Sequence, residues 1–431
     1  MMEINWKHLP GEDTINRTVL PNGITVLCSE NFNSPSVVIS GYLQTGSQLD
    51  PPNKYGLALF TSYGLMNGTI NRRFQRIYSD LESAGASFGF GASVQTTGFG
   101  GRALVEDLDL LLNTLSDCLQ WPVFPPRQFR RLKAQFLTGL QMRQQDTADQ
   151  ASMKFDEILF KDHPYGIPED GYFETVLNIT RNDLSRFHKQ TYSPHGMVIC
   201  IVGAIHAAQA TELVYKILGG WKNPEYVNPP EIPSIPVITE PVRVHLPIPG
   251  KVQVDLIMGN YGPSRTSEDF LAASLANNIL GQFGMMGRIG SAVREKSGLA
   301  YHASTSLNAW TQGGSWEISA GLHPNNVEKA ISIIKQEVSS FVNSGVTEEE
   351  LADAKANYIG WLPLSVESNN GVASAIIKME RFQLGFNYLR EYPQRIERFS
   401  QQDIQQVAKK YLDPESMVII SAGPPLTGES S

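Results

Sequence analysis

Metal-assisted hydrolysis needs imidazoles and carboxylates that converge on one point. The histidines are therefore the first residues to place. The chain has eight: His8, His163, His188, His195, His206, His245, His302 and His323. None stands three or four residues from another, the spacing that puts two imidazoles on one helical face. His188 and His195 come nearest, seven apart with Pro194 between them. The three cysteines, Cys28, Cys118 and Cys200, lie far apart in apolar stretches. They form neither a disulfide framework nor a ligand pair and read as small buried residues of a reducing compartment. Glycine-rich Gly281–Gly287, GQFGMMG, lacks the Lys-Ser/Thr ending of a phosphate loop. It reads either as a turn allowing close backbone approach to a substrate or partner, or as a helix–helix connection. His163-Pro164-Tyr165-Gly166 reads as a structural turn.

Composition narrows the class further. A net charge of −8 argues against a nucleic-acid partner, because phosphate binding needs clustered Lys and Arg. With 41% hydrophobic and 18% charged residues the chain is globular. No window reaches the ~20 apolar residues of a membrane span, and the N-terminal stretch shows no signal-like apolar run. The expectation is a cytoplasmic protein.

The elements that must carry any site come in two rhyming sets. Asn223 to Pro236, with Pro at 224, 229, 230, 233 and 236, excludes helix and reads as an extended linker. It divides the chain into residues 1–222 and 237–431. DLESAGASFGFGASVQTTGFGGRALVEDLDLLLNTLSDCL in the first half parallels AVREKSGLAYHASTSLNAWTQGGSWEISAGLHPNNVEKAISIIKQEV in the second. Each reads as helix end, glycine stop, strand, turn, strand, amphipathic helix, with Glu82–Gly85 aligned on Glu295–Gly298. WPVFPPRQFRRLKAQFL likewise parallels NSGVTEEELADAKANYI, where Thr347 and Glu350 form a capping box. GITVLCSE, PSVVISGYLQTG, MVICIVGAI and SMVIISAG read as strands. Residues 104–119, 326–343 and 401–411 read as helices. A repeat this long implies duplication. The predicted class is α+β: two homologous halves, each a mostly antiparallel sheet packed with helices.

Gly56 to Thr69 reads GLALFTSYGLMNGT, and residues 281 to 305 read GQFGMMGRIGSAVREKSGLAYHAST. On these segments the chain resembles the pitrilysin/insulinase-like zinc peptidases, in the branch of the mitochondrial processing peptidases. The first segment is similar to the helix that bears the inverted zinc motif H-x-x-E-H in that family. Gly56, Ala58, Phe60, Gly68 and Thr69 match its frame. Leu59 stands at the first His, Ser62 at the Glu and Tyr63 at the second His. Leucine has no lone pair to offer, zinc seldom takes a neutral phenol, and serine cannot replace the general-base carboxylate. The resemblance places a third ligand, a glutamate, on the helix corresponding to residues 127–145, which contain no Asp or Glu. Zinc is therefore expected in a partner and no cofactor in this chain.

The second half retains more. GQFGMMGRIGSAVREKSGLAYHAST is similar to the family segment in which an Arg and a Tyr reach the substrate at the metal site; Arg294 and Tyr301 hold those places. Read without the resemblance, Arg294 is a helix-end dipole partner and Tyr301 a half-core strand residue sharing a face with Leu299 and Ala303. With it, the pair donates hydrogen bonds to a scissile carbonyl. The first-half counterparts are Leu81 and Phe88. The resemblance implies a non-catalytic subunit of a heterodimeric zinc endopeptidase. It would help a homologous subunit with the intact motif to enclose a peptide or unfolded polypeptide, and would lend that subunit Arg294 and Tyr301. The alternative is a structural or peptide-binding homologue with no catalytic part.

Overall fold

The computed structural model describes residues 6–235, 238, 240–282, 284 and 287–426. Pro236 of the linker, and Phe283, Met285 and Met286 of the glycine-rich segment, lie outside the described residues.

Among the described residues eleven strands form two sheets. The first holds β1 (Asn16–Val19), β2 (Thr25–Glu30), β3 (Ser36–Leu43), β4 (Ser87–Ala92), β5 (Thr97–Leu104) and β6 (Val198–Gly203), in the order β1-β2-β6-β3-β5-β4. The second holds β7 (Val242–Pro247), β8 (Val254–Gly262), β9 (Ala300–Ala309), β10 (Gly314–Leu322) and β11 (Val418–Gly423), in the order β7-β11-β8-β10-β9. Without β1 the two sheets have the same plan. One parallel pair, β2 with β6 or β7 with β11, is followed by three antiparallel pairs. The duplication read from sequence is thus a duplicated topology, and the class is α+β.

Each sheet buries one face under amphipathic helices. Leu108–Gln120 turns Leu108, Leu111, Leu112, Leu115, Cys118 and Leu119 inward. Its second-half equivalent, Val327–Ser344, turns in Val327, Ala330, Ile331, Ile334, Val338 and Phe341. These spacings are the three-four alternation of a helix with one apolar stripe. Each fully buried aliphatic or aromatic side chain contributes about 1.5–3 kcal/mol.

The compact units do not follow the halves of the chain. One comprises residues 1–140, 168–232 and 362–391; the other comprises 141–167, 233–361 and 392–431. The helix Thr147–Leu159 comes from the first half yet packs on β8 and β11. Phe155 lies over Gly259, where a Cβ would meet its ring at 3.0 Å. The helix Asn369–Arg381 comes from the second half and packs on β3 and β6. There Asn369 Nδ2 donates to Ser36 Oγ at 3.1 Å, and Arg17 forms a fork with Glu380. β8/β11 and β3/β6 are equivalent positions, so each half places one helix on the same site of the other half's sheet.

Candidate functional site

The helix that would carry a metal motif is Leu57–Gly64. Its start is fixed by Gly56, at φ +98°, where a Cβ would lie 2.6 Å from the Asp170 carbonyl oxygen. Asp50 caps it, accepting from the Gly56 and Ala58 N–H groups at 2.8 Å each. Burial pushes the Asp50 carboxyl up, to about 8, against the lowering pull of these backbone bonds. After the helix, Thr69 Oγ1 donates to Asp117 at 2.7 Å, joined by Asn71 Nδ2 at 2.8 Å and Arg72 Nε at 2.9 Å. Gly56 and Thr69 therefore have structural work that survives loss of the chemistry.

The working positions are filled by other physics. Ser62 is fully buried, and its hydroxyl donates to the Leu59 carbonyl at 2.7 Å, a bond internal to the helix. Phe60 stacks on Phe129, with centroids 5.3 Å apart, and on Phe136 at 5.1 Å. The ring of Tyr63 meets Phe136 edge-on at 5.6 Å. Phe129 and Phe136 belong to the helix Pro126–Arg143, the one expected to lack the third ligand. Sequence reasoning noted its missing carboxylates but not this aromatic stack. Two phenylalanines seven apart were the available signal. These residues do not fit zinc. Among the described residues no group of three or more His, Cys, Asp or Glu side chains is arranged to hold a metal ion.

Arg294 and Tyr301 belong to the other compact unit. The short helix Gly287–Gly290 runs directly into a π-helical turn, Ser291–Lys296, which carries Arg294. The chain then reverses at Gly298, φ +62°, as the glycine stop predicts. The closing bonds are one residue longer than usual: Gly298 N–H to Arg294 O at 3.0 Å and Leu299 N–H to Val293 O at 3.0 Å. The first-half counterpart closes in the ordinary way, Gly85 to Glu82 and Ala86 to Leu81.

A second irregularity follows. On β10, Gly321 pairs with His302 but Leu322 pairs with Ala300, so Tyr301 is a β-bulge with no partner residue. The bulge corrects the expectation that Tyr301 shares a face with Leu299 and Ala303. Those two are buried, at 8% and 0% exposure, whereas Tyr301 is 67% exposed. The extra residue re-aims the side chain, as bulges do. Phe88, its counterpart, sits in regular register opposite Gly101. Neither the guanidinium of Arg294 nor the phenol of Tyr301 has a hydrogen-bond or ion-pair partner among the described residues. π-turns and bulges both recur at functional sites. Here one of each flanks the pair, and the equivalent half has neither.

The remaining candidates are structural. His163 is buried, at 2% exposure; its Nδ1 accepts from Tyr165 N–H at 3.1 Å and its Nε2 lies 3.0 Å from Pro233 O. All three cysteines are buried and unpaired, and burial pushes Cys28 up to about 11 and Cys118 to about 12, so neither forms a thiolate readily. Among the described residues no helix is long and apolar enough to cross a membrane.

Comparison with known proteins bears on the family and the fold. Residues 25–169 match the family description "Insulinase (Peptidase family M16)". Residues 178–358 match "Peptidase M16 inactive domain". An uncharacterized zinc protease of Mycobacterium leprae is 24% identical over 397 residues, covering 91% of this chain and 87% of its own length. One from Bacillus subtilis is 24% identical over 362 residues, 84% of this chain and 86% of its own. The crystal structure of a peptidase M16 inactive domain from Pseudomonas fluorescens superposes with a TM-score of 0.89 at 25% identity, covering 96% of this chain and all of that one. The periplasmic protease PqqL from Escherichia coli shares the fold, with a TM-score of 0.83 at 15% identity over 96% of this chain and 46% of its own.

Proposed function

The chain belongs to the M16 peptidase family and lacks that family's zinc motif; from this premise we propose that it is the non-catalytic subunit of a heterodimeric zinc endopeptidase. A homologous partner with H-x-x-E-H intact holds the zinc and the general base. This chain helps to enclose the peptide substrate and presents Arg294 and Tyr301 to the scissile carbonyl. The reading assigns the heterodimer to the cytoplasm; three buried thiols without disulfides, as suits a reducing compartment, support it.

One observation carries the reading. Arg294 and Tyr301 stand on a π-turn and a bulge that the duplicated half does not have. An exposed phenol on a bulged residue contributes little to packing. A guanidinium and a phenol held in fixed positions can donate to a carbonyl oxygen as charge builds on it. Tyr301 supplies one O–H, and Arg294 supplies N–H groups from a planar fork.

Reconstitution tests the assembly. The chain alone should hold no stoichiometric zinc and cleave no peptide, and should co-purify from its native source with a homologue bearing the motif. Mixing the two should produce peptidase activity that neither has alone. Finding the chain only in homo-oligomers, with the motif-bearing homologue fully active by itself, would leave a structural or peptide-binding role instead.

A further inference from the structure

We propose that Arg288 and Glu350 form a positioning clamp that fixes the rotation of the Arg294-bearing turn, so that both are positioning residues for the substrate contact; this rests on the catalytic reading of Arg294 and Tyr301. The problem they solve is local. Arg294 sits on a π-turn, whose wider ring leaves the terminal carbonyls bonded one residue out of the usual phase. The turn is preceded by only four α-helical residues, Gly287–Gly290. A helix that short has little intrinsic stability and cannot set its own orientation. Buried Ile289 and Val293 hold it against the core, but apolar contact is non-directional and tolerates rotation about the axis.

The clamp is directional. Arg288 Nε donates to Glu350 Oε1 at 2.6 Å, and Nη2 donates to Glu350 Oε2 at 2.6 Å and to the Gly345 carbonyl at 3.1 Å. The guanidinium lies over the Phe341 ring, 5.2 Å from its centroid. Glu350 is itself held: its Oε2 accepts from Thr347 N–H at 2.8 Å, and its own N–H donates to Thr347 Oγ1 at 3.2 Å. One carboxylate thus closes the capping box of the helix Glu348–Ser365 and anchors the turn six residues before Arg294. Both partners are partly shielded, with side chains 19% and 30% exposed, so solvent screens the pair less than an ordinary surface bridge. From the other side, Gly287 presses its backbone on residues 279–281; a Cβ there would lie 2.6 Å from Ile279 O. In the first half Leu81, the counterpart of Arg294, is buried and presents no group to orient.

A plain stabilising ion pair would affect only the amount of folded protein. A clamp affects turnover per folded molecule. Two variants separate these: Arg288→Lys keeps the charge but loses the fork, and Glu350→Gln keeps an acceptor for Thr347 but loses the ion pair. Each is assayed in the reconstituted heterodimer beside Tyr301→Phe. The expected result is a fall in kcat of about tenfold or more, from misplacement of a contacting group, with KM changed less than about twofold. Hydrogen exchange on the isolated chain should quicken at amides 291–299 while the helix Val327–Ser344 stays protected. Losing only thermal stability, with kcat and exchange at 291–299 unchanged while Tyr301→Phe is impaired, overturns the clamp alone. Full turnover in Tyr301→Phe overturns the catalytic reading and the clamp's purpose with it.

Discussion

Rebuilding the motif by Leu59→His, Ser62→Glu and Tyr63→His in one chain should give a destabilised protein that scarcely binds zinc. Position 62 has no exposure, and the serine's only polar demand is met within its helix. A glutamate there must be buried; raising its pKa from about 4.3 to 7 or beyond costs about 3–4 kcal/mol at neutral pH. Replacing Tyr63 removes its edge contact with Phe136, worth about 0.5–1.5 kcal/mol. The total, about 3.5–5.5 kcal/mol, is a large share of the 5–15 kcal/mol that ordinarily holds a domain folded. Zinc can return little of it. The variant has two imidazoles where catalytic zinc takes about three protein ligands, and the facing helix offers Phe129 and Phe136 instead of a carboxylate. With a Kd no tighter than about 100 µM, zinc at about 100 µM adds only about 0.4 kcal/mol. Urea unfolding with and without zinc measures this. A gain of about 2.7 kcal/mol, corresponding to a Kd near 1 µM, would refute the argument, because it would require a third ligand in place.

Two other predictions concern the frame. His188 has Nε2 2.7 Å from the Leu119 carbonyl and packs beside Tyr192, and burial pushes its pKa down to about 4. Its folded value lies below the ordinary one, so the unfolded chain binds more protons between the two. Its contribution is complete above about pH 6.5 and is lost as pH falls toward 4, about 3 kcal/mol in all; the difference in urea stability between wild type and His188→Gln should shrink over that window, and a difference constant with pH would contradict it. Gly287 and Gly298 share φ +62°, but a Cβ at 298 meets nothing within 4 Å whereas one at 287 meets backbone. Gly298→Ala should therefore cost about 1–2 kcal/mol, the left-handed penalty alone, and Gly287→Ala clearly more; equal costs by chemical denaturation would argue against the close approach.

Much of the fold was legible because it depends on local pattern. The helix 401–411 was read to its ends, and 326–343 and 104–119 differ by a few residues from Val327–Ser344 and Leu108–Gln120. The strand signals around Val26, Ile39, Ile199 and Ile420 each became a sheet member. The exchange of helices was not legible. Thr147–Leu159 shows an apolar face through Ala151, Phe155 and Leu159, but a face does not say which sheet will cover it. The exposure of Tyr301 was hidden for a related reason. Alternation assigns faces only while the register is unbroken, and Leu299-Ala300-Tyr301-His302 carries no residue that announces a bulge. The empty metal motif was legible outright, since it depends on which atoms the side chains have. The aromatic stack that fills its place required knowing that the helices Leu57–Gly64 and Pro126–Arg143 are neighbours.

The most direct test of the central claim is steady-state peptide cleavage by a heterodimer of wild-type motif-bearing partner and Tyr301→Phe chain. The substitution removes one hydroxyl from a side chain that is 67% exposed and has no hydrogen-bond partner among the described residues, so folding and assembly should be unaffected. If the hydroxyl donates to the developing oxyanion, turnover should fall about a hundred- to a thousandfold, or about 2.7–4 kcal/mol, with a smaller change in KM. Turnover equal to wild type, in a pair shown to be fully assembled, would contradict a catalytic contribution from this chain.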